Sequence, residues 1–215
     1  MHRLMSIDDA LEVFMNYSFH GGELTFAKPK EFLSFEPSEK SKQYLRSLNY
    51  LSLHLPFRHK FGDDEVTKKI VEKALYIKND LGISNFVLHH HQIQEPRYVQ
   101  TIPSLCFENM DKKKGFSVNY YKEAVNDYAA GFVLDTTHAL TWSRAHLEEL
   151  YNALNNDIRQ LHYSEYKDNM THAPVYHDTN NLSSFVKKFD VPLILETNYE
   201  GIDSFEKDMD FLGLK

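Results

Sequence analysis

Cysteine is nearly absent. Cys106 is the only one among 215 residues, so no intrachain disulfide and no cysteine-based zinc motif can form, and a reducing, cytoplasmic setting is expected. Positive charge is also short, with 24 Lys and Arg against 31 Asp and Glu and a formal net charge of −7. That sign works against non-specific attraction to phosphate backbones or anionic membranes, and nucleic acid is disfavoured as a partner. No stretch approaches the roughly 18 apolar residues that suggest a membrane span. The N-terminus reaches Asp8 and Asp9 without an apolar signal core, so neither secretion nor membrane insertion is expected. Low-complexity segments, close repeats and Gly/Pro/Ser-rich linkers are missing as well. Residues 1–215 are therefore expected to form one continuous domain.

Histidine, by contrast, is plentiful at twelve residues, and it is both the commonest neutral metal ligand and the side chain most suited to proton transfer near neutral pH. Where those histidines sit depends on the pattern of elements. Short apolar runs at 23–26, 50–55, 85–89, 105–108, 131–135, 158–162 and 191–196 predict seven strands. Amphipathic stretches at 7–17, 38–48, 64–80, 118–128, 143–155, 181–189 and 203–212 predict helices between most of them. The segment 92–103, with Pro96 and Pro103, reads as irregular. Strands alternating with helices imply a parallel sheet, because a parallel neighbour needs a crossover. Seven or eight strands, with no Gly-x-Gly-x-x-Gly after any of them, favour an α/β (β/α)8 TIM-type barrel over an open nucleotide-binding sheet. The barrel would be compact, its first strand either a stub at Arg3-Leu4-Met5 or missing.

Side chains alternate across a strand. One face of each run is wholly apolar, while the other ends in an ionisable group: His54, His89, Glu108, Asp135, His162 and Glu196. Barrel active sites lie at these C-terminal strand ends. Six convergent imidazoles and carboxylates are a donor set for a divalent metal ion such as Mn, Mg, Co or Zn.

The ordered motifs Leu-His54-Leu-Pro, Val-Leu-His89, Phe-Glu108-Asn, Leu-Asp135-Thr-Thr-His138, Leu-His162-Tyr-Ser, His172-Ala-Pro and Leu-Glu196 resemble the xylose isomerase-like TIM-barrel superfamily from about residue 20 to the C-terminus. In its isomerase and epimerase branch, the resemblance implies a single metal held by Glu108, Asp135, His162 and Glu196. Glu108 and Glu196 would also be the proton-transfer pair, His138 would steady a substrate oxygen, and His54, His89 and His172 would be left to bind substrate. The expected activity on this reading is isomerisation or epimerisation of a small sugar, sugar acid or polyol through an enediolate. In the endonuclease IV branch, the resemblance implies further metal ligands at His54, His89, His138 and His172 and hydrolysis of a phosphodiester in abasic DNA. Two departures stand against that branch. Met170 occupies the position of an acidic ligand two residues before His172, and His177-Asp178-Thr179-Asn180 replaces a Gly-x-Gly. The third alternative is a barrel that binds metal or ligand without turnover.

Other residues carry a bland reading beside a functional one. His91 shares parity with His89 and competes for its place, whereas His90 does not. His172 is expected on a loop. Glu165, His177 and Asp178 are expected on solvated loops, within possible reach of substrate. Glu23 reads equally as a site residue or an ion-pair partner, Cys106 as packing, and Phe57 and Trp142 as apolar walls or rim cover.

Overall fold

In the computed structural model, residues 7–17 and 19–214 are described, without the side chains of Ile7 and Ala10. Each of the seven expected strands forms: β1 (Gly21–Thr25), β2 (Tyr50–His54), β3 (Asn85–Leu88), β4 (Leu105–Glu108), β5 (Gly131–Asp135), β6 (Ile158–Tyr163) and, near the C-terminus, β9 (Leu193–Leu195). They make one seven-stranded sheet in the order β1-β2-β3-β4-β5-β6-β9. The neighbours with described register are all parallel. The stub proposed at Arg3-Leu4-Met5 lies outside the described residues.

The expected helices are present as α1 (Ile7–Phe14), α3 (Glu39–Ser47), α4 (Glu65–Leu81), α6 (Val118–Tyr128), α8 (Arg144–Leu154), α9 (Leu182–Val186) and α10 (Ile202–Leu212). Their ends follow capping chemistry. Asp64 accepts the Val66 and Thr67 amides at the start of α4, Ser38 and Ser143 accept amides in the first turns of α3 and α8, and Gly82 ends α4 at a φ of 76°.

Three short helices were not expected: α2 (Pro29–Leu33), α5 (Pro96–Val99) and α7 (Thr136–Leu140). α5 is a single turn opened by Pro96 inside the segment read as irregular. A hairpin was also missed, β7 (Glu165–Lys167) with β8 (Met170–Ala173), which pair antiparallel. Its tip, Asp168-Asn169, has φ values of 51° and 62°, the left-handed pair that a two-residue hairpin turn needs. The expectation of loops here is corrected, because polar strands of three and four residues carry too little apolar periodicity to register.

The chain divides into two compact units. One is built from His20–Glu108 and Glu123–Phe132. Its strands β1 to β4 bury Leu24, Leu53, Phe86, Leu88 and Phe107. The other comprises the chain up to Phe19, Asn109–Lys122 and the chain from Val133 onward. In it, Phe14, Tyr17, Phe19, Tyr199 and Phe205 pack ring to ring at centroid separations of 4.9–6.1 Å, fastening α1 and α10 to one another. α6 and β5 each run across the division.

Candidate metal centres

In the unit holding β1 to β4, parallel register sets His54 beside Val87 and Val87 beside Cys106. Counting by twos along β3 and β4 then puts His54, His89 and Glu108 on one face. The side chains meet there. His54 Nε2 and His89 Nε2 lie 3.0 and 2.9 Å from the same Glu108 oxygen, Oε2. Donors held 2.0–2.2 Å from a tetrahedral ion lie roughly 3.3–3.6 Å apart, so these hydrogen-bond separations would open by a few tenths of an ångström for the three donors to take neighbouring vertices around one cation. His54 Nδ1 stands 2.9 Å from the Leu55 carbonyl, which can only accept. Nδ1 therefore carries the hydrogen, and the lone pair of neutral imidazole is on Nε2, aimed at the site. Burial opposes a charge on His54, but the hydrogen bond and charge of Glu108, with Glu23 behind, outweigh it and raise its pKa.

The neighbours of this group sort the competing histidines. His91 stacks on His89 with ring centroids 5.8 Å apart, and His90 turns away against Phe107 and Tyr128. Phe57 flanks the His54 and His89 rings at 5.8 and 6.4 Å, an apolar wall beside polar donors. Glu23 accepts a hydrogen bond from Ser52 Oγ at 2.9 Å. Cys106 is buried.

In the other unit, Asp135 ends β5 and caps α7, its Oδ1 accepting the His138 amide at 2.7 Å. The cap places Asp135 and His138, three residues apart, at one end of a short helix. Thr137 Oγ1 donates to the Glu165 carbonyl and accepts the His172 amide at 3.1 Å, tying that helix to the β7–β8 hairpin. His172 thus lies on strand β8, which corrects the expected loop. It sits at a φ of 55°, a left-handed conformation that costs a non-glycine residue of order 1–3 kcal/mol. Its Nδ1 is 3.0 Å from the Glu196 carbonyl, and His138 Nδ1 is 2.9 Å from the Asn109 carbonyl. Both rings are oriented as His54 is, with Nε2 left for a metal. Asp135, His138 and His172 offer ligand atoms within 4.8 Å of one another.

Asp135 also belongs to a second group in this unit, with His162 and Glu196, under the same 4.8 Å limit. The β6–β9 register pairs His162 with Ile194, so Glu196, two residues on, projects from the same face. His162 Nδ1 is 2.8 Å from Glu196 Oε2. Of the quartet read from the sequence, the fourth member, Glu108, is a residue of the other unit.

Two positioning residues were missed. Asn109 brackets Asp135 through its amide, donating to the Asp135 carbonyl at 2.9 Å and accepting the Asp135 amide at 2.8 Å. Gln160, fully buried, sets its side-chain amide 2.7 Å from His162 Nε2. With a cation on Nδ1, that nitrogen carries a hydrogen and the amide can turn its oxygen to accept it. The available signal was parity, since Gln160 and His162 are two apart on one strand. Replacing Gln160 by Leu is expected to weaken the ion at His162 10- to 100-fold. A chelator-competition titration against the unaltered protein measures this, and equal affinities would dismiss the role.

The loop residues resolve differently from expectation. Glu165 is fully buried instead of solvated; burial raises its pKa, partly offset by a hydrogen bond from Asn180 at 2.7 Å. Asp178 accepts from the Ser183 amide and hydroxyl. His177 Nδ1 lies 3.1 Å from Lys167 Nζ. Trp142 stacks on His146.

Among solved structures, the chain is similar to a D-tagatose 3-epimerase-like protein, at 19% identity and a TM-score of 0.65 over 97% of this chain and 92% of that one. It is similar to endonuclease IV from Thermus thermophilus, at 17% identity and 0.66 over 97% and 93%. It is also similar to a Thermus thermophilus protein soaked with ZnCl2, at 19% identity and 0.67 over 96% and 94%. No family model and no curated sequence matches the chain. At these identities the likeness shows the fold, a TIM-type barrel, as expected from the strand count.

Proposed function

We propose that this chain, which has the fold of the xylose isomerase-like TIM barrels, is a divalent-metal-dependent hydrolase of phosphodiesters working at a polynuclear centre. The observation that carries the reading is the double membership of Asp135, one carboxylate that offers a donor both with His138 and His172 and with His162 and Glu196. A carboxylate has two oxygens and can serve two ions, and paired ions are the usual apparatus for displacement at phosphorus. A single-metal isomerase has use for one such group only. The His54, His89 and Glu108 group adds a third position.

The donor sets fit metal. Three of the histidines are fixed by backbone carbonyls in the tautomer that leaves Nε2 unprotonated when neutral, and imidazole with carboxylate suits zinc, with Mn and Mg favoured as carboxylate replaces imidazole. Bound ions would supply Lewis acidity and a nucleophilic hydroxide near neutral pH. The protein's own contribution is orientation: α7 fixes Asp135 and His138, the hairpin delivers His172, and Phe57 walls the His54 and His89 pair against water.

A second reading, single-metal isomerisation or epimerisation of a sugar-like small molecule, is supported by the Glu/Asp/His/Glu order along the strands and by the likeness to a D-tagatose 3-epimerase-like protein. In it Glu108 and Glu196 exchange the substrate proton and His138 holds an oxygen. Metal counting by mass spectrometry, with turnover of bis(p-nitrophenyl) phosphate and of ketohexoses, separates the two. The hydrolase reading expects two or three ions per chain and diester cleavage. One ion per chain with sugar epimerisation would replace it by the second reading, and full metal loading with no turnover of either substrate would leave a binding barrel.

A further inference from the structure

We infer that the turn Lys112–Lys114 is the surface by which this protein receives a nucleic-acid strand; the inference rests on the hydrolase reading and names its substrate class. The three lysines form one turn of 3-10 helix, closed by Gly115 at a φ of 72°, and all are exposed. None of their ammonium groups has an ion-pair or hydrogen-bond partner among the described residues. Acidic residues exceed basic ones by seven in this chain, so partners were not in short supply. Three adjacent like charges repel one another and gain nothing for the fold. From Asn109 to Lys122 there are four lysines and one aspartate, a local reversal of the overall sign.

Backbone bonds place this turn next to a metal group. The Lys112 amide donates to Thr141 Oγ1 at 2.8 Å, and that hydroxyl donates to the His138 carbonyl at 2.7 Å. Three residues upstream, the Asn109 carbonyl takes the hydrogen of His138 Nδ1 at 2.9 Å. The lysine turn is thus tied, through Lys112 and the residues just before it, to His138, whose Nε2 could serve an ion with Asp135 and His172. Just beyond Gly115, Phe116 and Tyr120 stack at 4.4 Å with their planes 12° apart, both half-exposed. Lysine beside aromatic faces is the pairing that tracks a phosphate backbone while stacking on bases.

A small phosphate ester carries its charge at one point and calls for a single enclosed pocket. Separate solvated ammonium groups on a turn match a charge that repeats along a chain. With three residues per turn the side chains diverge by about 120°, so about two of the three address any one strand.

The experiment is fluorescence anisotropy of the full chain with a labelled single-stranded 20-mer and its duplex across a salt series. The unaltered protein is compared with Lys112→Ala/Lys113→Ala/Lys114→Ala and with the corresponding triple Lys→Arg protein. The alanine protein is expected to bind about tenfold more weakly. Its slope of log affinity against log salt should be shallower by about 1.4 to 1.8, the loss of two phosphate contacts. The arginine protein should restore both. Equal affinity and slope in all three proteins, no binding by the unaltered protein, or preference for anionic phosphatidylserine vesicles over the oligonucleotides would overturn the inference. Hydrolysis of bis(p-nitrophenyl) phosphate, which has no strand to hold, should be the same in all three. If the unaltered protein fails to cleave that diester, the hydrolase reading falls, while the binding comparison still decides the role of the lysines.

Discussion

An Asp135→Asn protein is expected to keep its fold, lose the ions of two donor groups together, and fall by more than about 100-fold in kcat/KM for a diester, beyond the 10- to 100-fold that an outer hydrogen-bond partner costs. Asp135 serves local structure and metal through different properties. As the cap of α7 its Oδ1 accepts the His138 amide, and an asparagine side-chain oxygen caps a helix about as well as aspartate. The two-point bond from Asn109 reaches the Asp135 main chain and is indifferent to the side chain. What the substitution removes is the charge and the second donor oxygen, which the groups with His138 and His172 and with His162 and Glu196 both draw on. The checks are metal content by mass spectrometry and a thermal melt in EDTA. A melt within a few degrees of the unaltered protein, with two ions missing, is the expected pair of results. Loss of one ion alone would mean that Asp135 is not shared, and the polynuclear reading would lose its support.

Strand ends were the legible part of this sequence. His54, Glu108, Asp135 and His162 close apolar runs whose period of two is intact, and parity alone put each on the face it occupies. His89 and Glu196 fall one residue past β3 and β9, yet keep the same parity because the chain continues extended, as the bond from the Glu196 amide to the Tyr163 carbonyl records. The illegible part is held by side chain to backbone bonds. Nothing in the periodicity of Asp135-Thr-Thr-His138 announces a helix of five residues; α7 exists because Asp135 caps it and because the Thr136 and Thr137 hydroxyls bond to carbonyls of residues 162–165. His172 was findable by its His-x-Pro motif but not its geometry, since a left-handed histidine is fixed by its partners and not by local preference. Asn109 and Gln160 were hidden for the same reason: a neutral amide next to a charged ligand reads as an ordinary polar residue until its partners are known.

Glu108 is the place where charge and burial are in sharpest conflict, and Glu108→Gln is expected to abolish one metal equivalent and reduce kcat/KM by more than about 100-fold. Its carboxylate is 1% exposed, with two imidazole nitrogens within 3.0 Å of one oxygen. A charge removed from water so completely is tolerated only where positive charge or strong donors offset the cost. A bound cation or a protonated imidazole can play that part, and although burial opposes a charge on His54, Glu108 raises its pKa and so favours the latter. The glutamine side chain keeps the length and one acceptor oxygen but cannot neutralise a cation. The metal-free variant should therefore fold, weakened by about 1–3 kcal/mol for one poorly matched buried hydrogen bond, while the ion of the His54 and His89 group is lost. Urea unfolding in EDTA measures the first quantity and metal analysis the second. Because the group of Asp135, His138 and His172 does not include Glu108, Glu108→Gln is expected to retain an ion held there. Loss of every ion from this variant would contradict that retention, and retention of every ion would remove Glu108 from the ligand set.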